Sequence, residues 1–226
     1  MVKKVGENPF TRVILIGVFL VGAIVANSAM AQQSLTTIFA ANNGFAGNTF
    51  DARVVGPSPV TINSFDVNLD TPGSVNTVAI YWRDGPVTGF ENDPTGWNLM
   101  GRDNNVISAG SDLPTPVNVG GLMMIPGQTY GIYIDLESYP SALVGYTNGG
   151  PQAFNDGVLS LTTFTGQASP IHSGSFFPRI WNGTIYYTAL PEVPIPTLSG
   201  WTLLLLSLMI GILGVAHTRI RSRNSI

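Results

Sequence analysis

The sequence predicts an all-β protein, a jelly-roll-like antiparallel β-sandwich with an apolar segment at each end of the chain. Apolar and polar residues alternate with a period of two in several stretches, such as Val78 to Trp82 and Tyr130 to Leu136. This alternation is typical of strands with one buried face. Turn signals such as Asp84-Gly85-Pro86 separate these stretches, and no window between the apolar ends has the period of an amphipathic helix.

The alternation predicts nine or ten short strands, and short strands without helices form sandwiches or barrels. They are residues 35–39, 48–54, 60–69, 75–83, 97–101, 115–119, 129–136, 143–147, 157–163 and a hairpin at 177–188. The hairpin rests on Asn182-Gly183, a dipeptide typical of a type I′ turn. The loops 84–97 and 102–114 are too long for a simple meander, which favours the jelly roll. We expect Trp82 and Trp181 to lie in the core.

Composition excludes several classes of site. The chain has 226 residues, of which 10% are charged, and it contains no cysteine. Disulfides, thiolate metal sites and cysteine nucleophiles are therefore excluded. The expected domain, residues 32–190, has four arginines, no lysine and eleven acidic residues, which gives a net charge of −7. Such an acidic surface argues against a nucleic-acid partner.

Residues 1–31 are predicted to be a secretory signal peptide, which forms a signal helix. A positively charged start precedes the apolar run Val13 to Val25, and Ala29 and Ala31 occupy the small-residue positions of a cleavage site. The alternative is a membrane anchor. The run is short for an anchor, and no basic flank follows it.

The C-terminal end combines a spacer, an apolar run and a basic terminus. Three prolines keep residues 191–197 out of helices and sheets, so we expect an extended linker there. Residues 198–216 include no charge over nineteen positions, enough for a single transmembrane helix across a bilayer core of about 30 Å. By the positive-inside rule, residues 217–226 form a cytoplasmic tail. The stop-transfer residues are Arg219, Arg221 and Arg223.

A short motif stands where the linker meets the apolar run. Its residues are Ile195, Pro196, Thr197, Leu198, Ser199 and Trp201. The motif, the apolar run and the arginines, over residues 195–223, resemble the IPTL-CTERM protein-sorting signal, which belongs with the PEP-CTERM class of bacterial envelope tails. The resemblance implies recognition by an exosortase-like membrane transpeptidase. It also implies a transient stay in the inner membrane and a final place at the cell surface or outside the cell. Gly200 and Thr202 depart from the usual pattern, in which an acidic residue and glycine are common.

Catalysis is not expected of residues 32–190. A serine triad needs a histidine, and His172 lies in a Gly- and Ser-rich loop where we expect it to face solvent. No Gly-x-Ser-x-Gly pattern surrounds a serine. A glycosidase uses a pair of carboxylates, so a glycan-active hydrolase stays open as an alternative. The carboxylates considered for it are Asp84, Glu91, Asp93, Asp135, Glu137 and Asp156.

No cofactor is expected, with calcium as the alternative. Jelly-roll modules bind structural Ca²⁺ through Asp, Asn and backbone carbonyl oxygens. Asp84, Glu91 and Asp93 lie in one loop and are the candidate ligands, although an EF-hand spacing is absent.

Aromatic residues in loops or at strand ends are the candidates for sugar binding. Sugars stack on aromatic faces, while amides and carboxylates hold the hydroxyls. The candidates are Phe90, Trp97, Tyr139 and Phe154. The alternative is that these rings fill the core.

These predictions together describe a non-catalytic exported bacterial protein of the cell surface or the extracellular matrix. A carbohydrate-binding module for exopolysaccharide is the first alternative, and a glycan-active hydrolase is the second.

Overall fold

The computed structural model describes residues 31–191 and 200–223. The predicted signal peptide lies outside these residues except for Ala31, and so do the predicted cleavage residue Ala29 and the motif residues 195–199. The chain divides into two compact units, Met1–Pro191 and Glu192–Ile226.

The described part of the first unit forms an antiparallel β-sandwich of fifteen strands. The strands are β1 (Gln32–Thr36), β2 (Asn43–Phe45), β3 (Gly47–Val54), β4 (Val60–Asn68), β5 (Val75–Asp84), β6 (Asn98–Ile107), β7 (Pro114–Val117), β8 (Met123–Met124), β9 (Thr129–Leu136), β10 (Val144–Asn148), β11 (Ala153–Asn155), β12 (Leu159–Gln167), β13 (Ser175–Phe176), β14 (Arg179–Trp181) and β15 (Gly183–Ala189). The predicted all-β sandwich is confirmed, and the jelly-roll connectivity stays a prediction.

The strands form three sheets. The five-stranded sheet has the order β1-β15-β4-β7, with β8 also paired to β4. The seven-stranded sheet has the order β11-β12-β3-β9-β5-β6, with β13 also paired to β12. The third sheet has the order β14-β10-β2. One hydrophobic cluster draws side chains from these sheets, for example Phe50 of β3, Ile62 of β4, Ile132 of β9 and Trp181 of β14.

The predicted hairpin at 177–188 is wrong. β14 pairs with β10, whereas β15 pairs with β1 and β4, so the strands on either side of Asn182 belong to different sheets. Neither Asn182 nor Gly183 has the positive φ that a type I′ turn requires. Asn182 is fully buried, and its side-chain amide donates a hydrogen bond to Thr147 Oγ1 at 3.1 Å. The dipeptide therefore passes the chain from one sheet to the next instead of reversing it.

Other strands also differ from the prediction, and β2, β8, β11 and β13 lie outside the predicted strands altogether. β1 begins at Gln32 and ends at Thr36, earlier than the predicted 35–39. β6 extends from Asn98 to Ile107, so the first six residues of the predicted 102–114 loop are strand. β6 is the edge of the seven-stranded sheet and most of its residues are exposed or half-buried, so its sequence lacks apolar alternation. Of the two expected core tryptophans, Trp181 is fully buried and Trp82 is half-buried against the core.

The second unit has one described helix, α1 (Gly200–Arg223). Side chains are described for residues 202–213, where all are exposed and most are Leu, Ile or Met. In the described part of the chain, no helix combines the length and the apolar character required to cross a membrane. The transmembrane span predicted for residues 198–216 stays a prediction.

Candidate functional site

The seven-stranded sheet carries aromatic and charged side chains on the face opposite the core, which we call the outer face. Strand residues alternate between the two faces, so Phe50 enters the core and Thr49 and Asp51 lie on the outer face. The register places Tyr81, Tyr133 and Thr49 in one row across β5, β9 and β3. Tyr133, in the middle of this row, is fully buried.

Two loops reach over Tyr133. The Trp97 ring meets the Tyr133 ring edge-on, with centroids 5.6 Å apart and planes at 90°. The His172 ring lies 5.3 Å from that of Tyr133, and the His172 backbone N–H donates to the Tyr133 hydroxyl at 3.4 Å. Burial raises the pKa of Tyr133 above its ordinary value and lowers the pKa of His172. The expectation that His172 faces solvent is wrong, because its half-buried ring completes this cluster.

Arg83 lies beside the same loops and is only 8% exposed. Its guanidinium carbon lies 3.5 Å from the centroid of the Phe90 ring and 5.9 Å from that of Trp97. Trp97 Nε1 donates to the Phe90 backbone carbonyl oxygen at 3.0 Å, which ties the indole to the backbone of Phe90. Arg83 Nη1 donates to the Pro86 carbonyl oxygen, and Nε has no hydrogen-bond partner within the described residues. The aromatic rings therefore supply much of the cation's environment through cation–π attraction.

Gly131 leaves room for the Arg83 side chain, and Asp51 holds the neighbouring loop in place. A methyl group at Gly131 would lie 2.8 Å from Arg83 Cγ, so glycine leaves the space that the arginine stem occupies. Asp51, which pairs with Gly131 across β3 and β9, accepts a hydrogen bond from the Val87 backbone N–H at 2.7 Å. Burial raises the pKa of Asp51, and the bond from Val87 and the charge of Arg83 oppose this rise. The loop after β5 is thus fastened to the outer face.

The four predicted sugar-binding aromatics occupy different places. Phe90 and Trp97 lie together on the outer face. Tyr139 packs against Phe45, with ring centroids 5.1 Å apart, and is half-buried at the edge of the core. Phe154 lies in β11 and packs partly buried against the core. The structure therefore gathers one pair of the predicted four.

The predicted calcium ligands are not gathered into a site. Within residues 31–191 and 200–223, no group of three or more His, Cys, Asp or Glu side chains is arranged to hold a metal ion. Glu91 Oε2 accepts a hydrogen bond from the Gly89 N–H at 2.9 Å, and Asp93 Oδ1 accepts one from the Thr95 N–H at 2.8 Å. The Glu91 and Asp93 carboxylates therefore bond to backbone groups of their own loop, and Asp84 does not cluster with them.

A cavity of about 300 Å³, which the sequence did not predict, lies near the start of β2 and the end of β4. Its polar lining includes Asn43, Asn68, Asp70 and Ser111. Beside it Asp112, with φ of 61°, exchanges hydrogen bonds with Asn68. The lining comes from four separate stretches of the chain, so no local motif could reveal it.

A comparison with protein families identifies the C-terminal end. The family model that matches is described as the IPTL-CTERM motif, and it covers residues 193–223. This chain carries an IPTL-CTERM motif. The resemblance predicted for residues 195–223 is therefore confirmed. The motif is a C-terminal sorting signal of exported proteins and implies export to the cell envelope or surface. A search of curated proteins finds no match to the chain.

The structure describes the second half of the IPTL-CTERM motif. Trp201 lies in the first turn of α1, and the helix continues through Arg219 and Arg221 to Arg223. The backbone of the three arginines is therefore helical, and the cytoplasmic tail predicted for residues 217–226 stays a prediction. Residues 195–199, where processing is expected, lie outside the described residues.

Proposed function

We propose that this protein is a non-catalytic component of the bacterial cell surface or extracellular matrix, delivered through its IPTL-CTERM motif. The match of residues 193–223 to that motif is the observation that carries the proposal. An exosortase-like membrane transpeptidase recognises the motif and cuts or transfers the chain near Ile195–Ser199. Residues 198–216 retain the chain transiently at the inner membrane, and the arginines hold its end on the cytoplasmic side.

The way the domain ends supports this role. β15, the last strand within the described residues, is paired on both edges, with β4 along Gly183–Ala189 and with β1 along Thr184–Thr188. Beyond β15, the Leu190 N–H donates to the Pro59 carbonyl oxygen at 2.8 Å. A covalent attachment downstream of Pro191 would therefore hold the domain through a strand fixed on both sides.

The proposal is tested by changing the motif without changing the helix. In the double variant Pro196→Ala, Thr197→Ala, we expect full-length protein to accumulate in the membrane fraction, while wild type appears in processed form at the surface or in the medium. Ser207→Ala is the matched control, because the Ser207 hydroxyl only donates to the Leu204 carbonyl oxygen within α1. Processing of the motif variant at the wild-type extent would contradict the proposal.

A carbohydrate-binding module is the second candidate function, and the pairing of Phe90 with Trp97 on the outer face favours it. We expect Trp97→Ala to abolish retardation of the protein on an exopolysaccharide affinity gel. Tyr139→Ala is the control, because Tyr139 packs against Phe45 elsewhere. Unchanged retardation of the Trp97 variant would contradict this candidate, and release of reducing ends from the gel would favour the hydrolase alternative.

A further inference from the structure

Three polar side chains are buried together where β3 meets β12. Thr49 and Gln167 are 0% exposed, and Thr165 is 2% exposed. The register pairs Thr49 with Thr165 and Gly47 with Gln167. Residues two apart on a strand share a face, so all three side chains lie on the outer face, in or next to the row of Tyr133.

The three side chains touch one another. The Thr49 and Thr165 hydroxyl oxygens are 2.6 Å apart. Gln167 Nε2 donates to Thr165 Oγ1 and lies 3.4 Å from Thr49 Oγ1. Gln167 Oε1 has no hydrogen-bond partner within the described residues, although it is buried. A buried carbonyl oxygen without a donor loses its hydrogen bonds to water and gains none in return, which makes this amide an unusual one to bury.

We propose that Thr49 and Gln167 form an intramolecular ester that joins β3 to β12. Thr49 Oγ1 forms a bond to Gln167 Cδ, and the bond from Cδ to Nε2 breaks. The proton of the Thr49 hydroxyl passes through the Thr165 hydroxyl to Nε2, which leaves as ammonia. Atoms and charge balance in this step, and it needs no oxidant, metal or cofactor.

The surroundings of Thr49 and Gln167 favour ester formation more than water favours the same reaction between a free alcohol and a free amide. Holding two reactants in contact replaces a bimolecular encounter by an intramolecular step. Burial excludes the water that would compete for the carbonyl carbon and would later hydrolyse the ester. The link would close a loop across 118 positions, and such a closure restricts the unfolded chain. An ester cross-link uses neither a thiol nor an amine. It is therefore open to residues 32–190, which contain neither cysteine nor lysine.

Tryptic mapping of the full chain tests the ester directly. Cleavage after arginine puts Thr49 in the peptide that ends at Arg53, and Gln167 in the peptide 103–179. We expect the two peptides to appear joined, with their summed mass reduced by one ammonia. Mild alkali should separate them and leave a carboxylate at position 167. Loss of ammonia from an N-terminal Gln32 would change one peptide without joining it to the other.

Two results of the mapping would overturn the inference. One is that both peptides appear separately at their sequence masses. The other is that ammonia is lost only within peptide 103–179, which would make Thr165 the nucleophile and leave β3 unlinked.

Matched variants test the role of each hydroxyl. Thr49→Val should abolish the joined peptide, and Thr49→Ser should keep it. Thr165→Val should reduce the joined fraction, because the proton loses its path. Thr162→Val, at an exposed position of the same strand, should keep the joined peptide at the wild-type level. Because Thr49→Val can fail to fold, the Ser variant and the wild-type map decide in that case. A joined peptide that persists in Thr49→Val would contradict the assignment.

Discussion

The indole ring of Trp181 lies nearly parallel to the ring of Phe50, with centroids 4.2 Å apart and planes within 15°. Phe50 belongs to β3 of the seven-stranded sheet and Trp181 to β14 of the three-stranded sheet, so the stack joins two sheets through the core. Gly183 leaves space for the indole. A methyl group at Gly183 would overlap Trp181 Cζ2 and would lie 2.6 Å from the Asp66 carbonyl oxygen.

Gly183→Ala is therefore expected to lower the free energy of unfolding by about 1–3 kcal/mol, because the added methyl overpacks the core. Chemical denaturation of the full chain measures the change. Gly150→Ala is the matched control, since no atom beyond its chain neighbours lies within 4 Å of the place that its methyl group would take. Its effect should be under about 0.5 kcal/mol. Equal effects of the two variants would contradict this account of the packing.

The same contact explains why the sequence predicted a hairpin here. Asn182-Gly183 is a local signal for a reversal, and locally it is a strong one. The conformation is decided by partners far away in sequence, because Trp181 stacks on Phe50 and Asn182 bonds to Thr147. Gly183 is needed for close packing rather than for a positive φ.

Strands that alternate apolar and polar residues could be predicted well, as the agreement for β9 (Thr129–Leu136) shows, although Tyr133 and Asp135 on its outer face are buried as well. Alternation is a local property of the sequence, and burial of one face enforces it. The second part of the edge strand β6, residues 102–107, and the pairing of strands could not be predicted this way. The outer-face cluster also depends on contacts between residues distant in sequence, such as Tyr133 with Trp97 and with His172. The sorting motif could be predicted because its parts are contiguous.

Arg83 and Phe90 should be energetically coupled. In a double-mutant cycle with Arg83→Met and Phe90→Leu, we expect a coupling free energy of about 0.5–2 kcal/mol from the loss of the desolvated cation–π contact. The comparison cycle uses Arg102 and Glu137, an ion pair of 2.7 Å whose side chains are 42% and 28% exposed. Its coupling should be weaker than that of Arg83 and Phe90, because solvent screens an exposed ion pair, and it should fall further in high salt. Additive effects of the Arg83 and Phe90 changes would refute the contact as a source of stability.

Two substitutions at His172 separate the effect of its backbone conformation on stability from the effect of its ring. Its φ of 65° lies in the left-handed region, which costs a non-glycine residue roughly 1–2 kcal/mol. Both His172→Ala and His172→Gly lose the ring contact with Tyr133, but only glycine relieves the backbone. We expect the glycine variant to have the higher unfolding midpoint, although glycine also gains freedom in the unfolded chain. A lower midpoint for the glycine variant would count against strain at this position.

Asp135 should make stability depend on pH. Burial first, and the charge of Glu137 second, raise the pKa of Asp135 from 3.8 to about 6. The folded state therefore binds the proton more tightly than the unfolded state, and this contribution to stability is lost as pH rises from about 3.8 through 6. Asp135→Asn should be more stable than wild type at neutral pH and should show a flatter pH profile in this window. Asp84→Asn, at an exposed position, is the control. If wild type were more stable than Asp135→Asn at neutral pH, the result would contradict a cost of burying the charged Asp135 carboxylate.

The account as a whole depends on the C-terminal signal, and cell fractionation of wild type against a chain that lacks residues 195–226 tests it most directly. We expect wild type in a processed form at the surface or in the matrix. The truncated chain should appear in a different fraction, without the mass change that processing produces. The same product, in the same form and at the same location from both chains, would contradict the sorting role of the IPTL-CTERM motif.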